Sequence, residues 1–322
     1  MNRNDIITLL GKDWTDCESL IREALHSDIS LLNSLNESVL SNSGKQLRPM
    51  LSLLMARAIG KANKNSIRYA AAAELLHNAT LFHDDVADRS PVRRGRPTLT
   101  ATMGPSVAVL VGDYWLSQAV QLVVGTENQD QAIKLFAKMM SDLSEGEMLQ
   151  LEKASSADTT EEDYLRIIFC KTASLFQTAC TTAAISVNAP ATLYDAAARY
   201  GKATGLAFQI RDDIFDYLEG GEIGKPVGID LKEQKITLPL LGALREAPDE
   251  SAMRAKVRDI MEHPGYCDEL RSFVLEHDGI AYATGRLNDF ISEALVALEA
   301  FAPSPERDAL AEIARYNAIR NV

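Results

Sequence analysis

The chain predicts an all-α fold, on three observations. Apolar residues recur three and four apart through most of its length, and few windows alternate with period two. The breaks between apolar windows are short and carry Gly, Pro or Asn. With 46% hydrophobic residues among 322, the chain can bury a sizeable core. No Ser/Gly or Pro run separates two halves, so residues 1–322 read as a single domain.

Each element follows from its own signals. Residues 16–41 read as one amphipathic helix, and an apolar helix over 46–60 follows the break at Ser43-Gly44. Residues 64–88 form a long apolar helix, rich in small side chains from Ala70 to Ala73. The helix over 104–124 starts at Gly104-Pro105 and is apolar nearly all round, which predicts burial. Helix continues over 127–152. Thr159 or Thr160 then N-caps a helix running from about 161 to 186, with Glu161-Glu162 behind it. Asn188-Ala189-Pro190 is a break, and 191–219 is the next helix. Helices over 237–246, 250–262, 266–276, 280–299 and 304–320 close the chain, with stops at His263-Pro264-Gly265 and Ala302-Pro303.

Composition narrows the function classes. A net charge of −12 argues against nucleic acid as a partner. Cys17, Cys170, Cys180 and Cys267 are widely spaced with no C-x-x-C, the usage of a reduced, cytoplasmic protein. The N-terminus lacks a long apolar signal core, apolar runs such as Val107 to Val111 are too short to span a bilayer, and no lipidation box ends the chain.

Two clusters carry the chemistry. Asp84-Asp85-Val86-Ala87-Asp88 and Asp212-Asp213-Ile214-Phe215-Asp216 are both D-D-x-x-D on helical sequence. Residues four apart share a helix face, so Asp84 with Asp88, and Asp212 with Asp216, each stack two carboxylates. Such pairs repel unless a cation lies between them, and oxygen-only ligands suit Mg²⁺, which is usually held by one or two carboxylates plus substrate phosphates. Each cluster runs into a basic segment: Arg93 and Arg94 between Pro91, Gly95 and Pro97, and Lys225 and Lys235 around Gly224, Pro226 and Gly228. Arginine captures phosphate oxygens in pairs. A diphosphate gripped from both sides through metal ions is the arrangement these repeats predict.

The residues resemble a known family. Gly44-Lys45-Gln46-Leu47-Arg48-Pro49, His77, Leu81 to Asp88 with Arg93-Arg94-Gly95, Gly112-Asp113, Glu145-Gly146-Glu147, Lys171-Thr172-Ala173 and Gly205 to Gln209 stand in the order of the trans-isoprenyl diphosphate synthases (polyprenyl synthetase family). Asp212 to Asp216, Gly224-Lys225, Gly228, Asp230-Leu231 and Lys235 to Pro239 complete the set. The likeness covers roughly 40–320 and is nearest to long-chain members of the octaprenyl and solanesyl type. It implies an antiparallel helical bundle around a deep central cavity, usually homodimeric. It implies three Mg²⁺ ions, with Asp84 and Asp88 holding two and Asp212 the third, supported by Asp85, Asp213 and Asp216. Arg93, Lys171, Thr172, Gln209, Lys225 and Lys235 would contact the allylic diphosphate. Lys45, Arg48, His77 and Arg94 would hold isopentenyl diphosphate. The expected reaction is head-to-tail condensation, with the product passing to membrane enzymes. Arg211 and Phe215 depart slightly from the family pattern without removing a ligand. A class I terpene cyclase would carry an asymmetric second metal motif, and a non-catalytic subunit would have lost aspartates or basic residues. Neither is the case here.

Product length is read from the helix bearing the first cluster. Positions five and four before Asp84 are Ala79 and Thr80, where short-chain members place aromatic residues. Leu76, Ala73 and Ala72 lie on further turns below, and each turn rises about 5.4 Å, comparable with one five-carbon unit. An open tunnel and a C35–C50 product are expected, with geranylgeranyl or farnesyl diphosphate as the alternatives. Tyr114-Trp115, Leu116, Val120 and Met148 are candidate walls, or plain core.

Overall fold

The structure, a computed structural model, describes residues 2–41, 44–93, 95–218, 228–245 and 247–319, with side chains as far as Tyr316. Among them the only strands are a two-residue pair, β1 (Val92–Arg93) and β2 (Arg96–Pro97), joined antiparallel. The rest is helix and short connection. No helix among the described residues is long and apolar enough to cross a membrane.

The described chain forms two compact units. The first comprises residues 1–137, 178–198 and 300–310; the second comprises 138–177, 199–299 and 311–322.

The first unit opens with α1 (Arg3–Leu10), α2 (Lys12–Ala24) and α3 (Ser30–Leu40). The single helix expected over 16–41 is therefore two, broken at residues 25–29. Side chains explain the break: Asn33 Oδ1 accepts from the Ser27 N–H at 2.9 Å, and Asn36 Nδ2 donates to the Leu25 carbonyl at 2.8 Å. Short polar side chains bonding nearby backbone compete with helix. Helices α4 (Leu47–Ile59) and α5 (Lys64–Ala87) carry much of the core, including Leu51, Leu53, Leu54 and Met55 and the run Ala70 to Ala73. Asn63 caps α5 by accepting from the N–H groups of Asn65 and Ser66. After the hairpin and the short α6 (Leu99–Met103), α7 (Pro105–Val123) packs on α5. A Cβ on Gly112 would lie 2.4 Å from His83 Nε2, so the glycine leaves the imidazole the place it takes. The expectation that α7 is buried all round fails. Leu110 and Val120 are 67% and 47% exposed, on one face of a helix whose opposite face holds Trp115 and Ala119, and Val124, the residue that ends it, is 49% exposed.

The second unit takes α8 (Gln129–Ser156) from residue 138 onward, then α9 (Glu161–Ile168), a π-helical turn (Phe169–Ala173) and the start of α10 (Ser174–Ser186). Thr160 is the N-cap of α9, paired with Asp163 in a capping box. Two glycines admit the π turn: Gly146 on α8 faces Cys170 and Lys171, and Gly205 on α11 (Ala191–Phe215) faces the Ala173 backbone, each closer than a side chain allows. Helices α12 (Ile229–Lys232), α13 (Leu238–Leu244), α14 (Glu250–Arg258), α15 (Tyr266–Glu276) and α16 (Gly279–Leu298) enclose an apolar cluster that includes Tyr164, Ile210, Ile214, Leu231, Leu238, Leu270 and Leu287. Arg286 and Tyr282 on α16 both bind Glu161 at the start of α9. Helix α17 (Pro305–Ile319) ends the described chain. All four cysteines are free and buried.

Candidate active site

The expected site residues fall into two sets, one in each unit. In the first unit, Asp84 is half-buried on the last turn of α5, and Asp88, one turn on, is exposed at the helix end. Asp85, between them in sequence, is buried at 5% exposure and accepts from Arg93 Nε at 2.7 Å. Arg93 stands on β1, so the basic segment after the first cluster contributes to a strand pair. Thr98 fixes its base by donating to the Ser90 carbonyl at 2.7 Å. His83 Nε2 lies 3.3 Å from Asp113 Oδ1 without a hydrogen bond between them, so the Gly112-Asp113 pair stands beside the aspartate helix. Arg94 lies outside the described residues.

Lower on α5, His77 is half-buried two turns below Asp84. Lys45 is exposed, and Arg48 is half-buried on the first turn of α4. Their segment is held by Arg3, which donates to the Lys45 carbonyl and, at 3.0 Å, to Gln46 Oε1. Leu76 and Ala79 are buried, whereas Thr80 is half-buried and donates to the His77 carbonyl. Trp115 is core: it meets the Phe82 ring edge-on at 5.4 Å and donates to Asn36. Phe82 is two residues from both Thr80 and Asp84, so that contact lies on nearly the opposite side of α5. Val120 and Met148 are largely exposed.

The second unit holds a cavity of about 210 Å³ lined by Lys153, Tyr164, Lys171, Thr172, Gln209, Asp213, Asp230 and Lys235, among others. The π turn presents Lys171 and Thr172 into it. Such a turn inserts one residue into a helix and redirects the side chains it carries. Lys171 Nζ contacts Glu147 at 2.8 Å and donates to Gln150 Oε1 at 2.9 Å. Thr172 Oγ1 donates to Gln209 Oε1 at 2.7 Å, and Gln209 Nε2 donates to Asp213 Oδ1 at 2.8 Å. Tyr164 supplies a second donor to Asp213 at 2.7 Å. Burial pushes the Asp213 carboxyl above its ordinary range, against the pull of those two donors.

Asp216 turns away to the next segment, where Oδ1 and Oδ2 each accept at 3.0 Å from the N–H groups of Ile229 and Asp230. Burial raises the Asp216 carboxyl, and burial together with the charges of Asp213 and Asp216 raises that of Asp230. Asp212 is half-buried on α11. Lys235 lines the cavity and pairs with Glu233, while Lys225 lies outside the described residues.

The two D-D-x-x-D copies thus share a plan. The middle aspartate of each is buried and bonded to protein donors, and the first is half-buried. All their ligating atoms are hard oxygens, the donor set that fits Mg²⁺. Among the described residues no three His, Cys, Asp or Glu side chains form a closed cage. A cation that keeps waters and takes substrate phosphate oxygens needs none.

Sequence reading missed Tyr164, Lys153 and Asp230 as cavity residues. Tyr164 stands seven residues before Lys171, a spacing that marks a shared helix face. Lys153 left no such signal; it pairs with Asp158 and Asp163 and so holds the α8–α9 connection against the cavity.

Comparison with known proteins agrees with this geometry. Residues 29–272, about three quarters of the chain, match the Polyprenyl synthetase family. An octaprenyl diphosphate synthase of Haemophilus influenzae is 36% identical, over 100% of this chain and 98% of that protein. The crystal structure of a decaprenyl diphosphate synthase from Rhodobacter capsulatus superposes with a TM-score of 0.92 at 34% identity, covering 99% of both chains. A polyprenyl synthase from Caulobacter crescentus, crystallised with calcium and isoprenyl diphosphate, gives 0.90 at 32% identity, covering 100% of this chain and 98% of that one. The chain belongs to the polyprenyl synthetase family and is a trans-prenyltransferase.

Proposed function

We propose that the protein condenses isopentenyl diphosphate with an allylic diphosphate, head to tail, to give a long all-trans polyprenyl diphosphate of about C35–C50, the quinone side-chain type. The observation that carries this is the cavity on which Lys171, Thr172, Gln209, Lys235 and Asp213 converge. Cationic and neutral donors beside a carboxylate suit an anion that arrives with a metal ion. Both aspartate sets serve one reaction in this reading, so residues 1–322 work as one catalytic domain. Three Mg²⁺ ions are expected, at Asp84, Asp88 and Asp212, with Asp85, Asp213 and Asp216 supporting. The Caulobacter relative was crystallised with a divalent cation and an isoprenyl diphosphate, which supports the assignment.

When bound, Mg²⁺ neutralises the diphosphate and so makes it a competent leaving group. Lys171 and Lys235, with Lys225 and Arg93, bring fixed positive charge to the same leaving group. Glu147 and Gln150 hold Lys171 in place, so little reorganisation is needed as charge develops. Lys45, Arg48, His77 and Arg94 orient isopentenyl diphosphate for attack on the allylic cation. No side chain stands out as the base, and the released diphosphate takes the proton. The small side chains at Ala79 and Thr80, with Leu76 below and no aromatic floor among them, support a long tail.

The exposed face of α7, with Leu110, Val120 and Val124, supports a homodimer, since a second copy would cover it. Four buried free thiols support a cytoplasmic location. The test is incubation with Mg²⁺, isopentenyl diphosphate and geranyl, farnesyl or geranylgeranyl diphosphate, with products sized by mass spectrometry. A C35–C50 ladder is expected. Termination at C15 or C20 with excess isopentenyl diphosphate refutes the long-chain reading, and no condensation refutes the reaction.

A further inference from the structure

Within the second unit three hydrogen bonds form a chain whose direction is set by one atom type. Tyr164 Oη donates to Asp213 Oδ2 at 2.7 Å, Gln209 Nε2 donates to Asp213 Oδ1 at 2.8 Å, and Thr172 Oγ1 donates to Gln209 Oε1 at 2.7 Å. An ionised carboxylate only accepts. Gln209 must therefore turn its NH₂ toward Asp213 and its carbonyl toward Thr172. The Thr172 hydroxyl has one proton, and that carbonyl takes it. Within the chain, the proton left uncommitted is the second N–H of Gln209, and Gln209 lines the cavity.

We propose that Tyr164 is a positioning residue for the allylic diphosphate. Its phenol occupies one oxygen of Asp213 and fixes the carboxylate, which fixes the Gln209 amide. Gln209 then donates to the diphosphate, and Thr172 acts through Gln209 rather than as a donor in its own right. Tyr164 is suited to this: it is 2% exposed, its ring belongs to the apolar cluster of the second unit, and its hydroxyl is the single polar atom of the side chain. Asp213 in turn is 4% exposed, so a carboxylate oxygen robbed of its donor gains little from water.

The inference rests on the prenyl-transfer reading, and its test separates the two. Wild type, Tyr164→Phe, Gln209→Leu and the double variant are assayed in parallel for kcat and for KM of each substrate. Tyr164→Phe keeps the ring and is expected to lose about tenfold or more in kcat/KM for the allylic substrate, the scale of one hydrogen bond to a charged group. The KM for isopentenyl diphosphate stays within about twofold. Because Tyr164 acts through Gln209, the double variant is no worse than Gln209→Leu alone. Additive losses overturn the inference, and so does equal damage to both substrates. Should Tyr164→Phe fail to fold, Thr172→Val carries the test. It is expected to lose kcat/KM for the allylic substrate, and the loss vanishes in a Gln209→Leu background; a loss that persists there overturns the relay. A wild type silent with every allylic primer defeats the prenyl-transfer reading and this inference with it.

Discussion

At the scale of single residues, the three aspartates of each cluster have different surroundings and should answer differently to mutation. Asp84 and Asp212 are half-buried, whereas Asp85 and Asp213 are committed to Arg93 and to the Tyr164–Gln209 pair. Asp84→Ala or Asp212→Ala is expected to cut kcat by about 10³-fold while the melting temperature moves little, as when a preorganised electrostatic contact is removed from a transition state. Near-normal turnover at saturating Mg²⁺ would contradict the two-cluster mechanism. Asp216→Ala should behave otherwise, because it also removes the acceptor that caps the N–H groups of Ile229 and Asp230, a loss of about 0.5–2 kcal/mol in stability measurable by urea denaturation.

Asp213 adds a pH dependence. Its carboxyl is raised to about 6 by burial, from an ordinary value near 4. A raised folded-state value means that the folded protein holds the proton more tightly than the unfolded one, so this contribution is full below about pH 4 and is lost as pH rises through about 6. In EDTA, calorimetry should therefore show wild type losing more stability than Asp213→Asn between pH 4.5 and 7. Parallel curves would show that the carboxyl is not raised. The spacing of both clusters was plain in the sequence, but the division of labour was not. D-D-x-x-D says which carboxylates share a helix face and says nothing of Arg93 or Tyr164, which meet them from other elements.

Among the elements, the π turn and its two glycines decide where Lys171 and Thr172 point. A Cβ on Gly205 would come within 2.5 Å of Ala173 Cα, which is backbone and cannot swing aside. Gly205→Ala is expected to destabilise by about 1–3 kcal/mol, as overpacking does, and to lower kcat in the surviving folded enzyme. Unchanged stability and turnover would show that the contact relaxes at no cost. The motif glycines were visible in sequence, but their partners were not: Gly146 and Gly205 are far apart in the chain and meet the same five-residue turn. Helix α5 shows what periodicity does reveal. Its expected span, 64–88, differs from the observed Lys64–Ala87 by one residue, because a good cap opens it and Asp88 closes it. The helix expected over 16–41 was misjudged for the reason given by Asn33 and Asn36, whose capping partners lie across the break. On α5, Ala79→Phe should shorten the product to about C15–C20, read by mass spectrometry. An unchanged ladder would mean that the tail runs elsewhere.

Taken as a whole molecule, the chain's outward apolar face is the part its sequence concealed. The helix over 104–124 reads as interior because apolar residues fall nearly all round it, yet Leu110, Val120 and Val124 face outward. An apolar residue on a helix reads the same in sequence whether it faces the core or faces outward. The proposed homodimer predicts that Leu110→Asp with Val120→Asp gives a monomer by light scattering; a wild type already monomeric at working concentration would contradict it. The buried thiols carry a practical consequence. Cys17, Cys170, Cys180 and Cys267 are at most 6% exposed, and burial raises every one of them above the ordinary thiol range, so the reactive thiolate is scarce and shielded. Maleimide dyes should pass over the native molecule. A single cysteine introduced on the surface, at Leu151 for example, would then take a fluorophore by itself, and the enzyme could report its own turnover optically without first being stripped of its natural sulfurs.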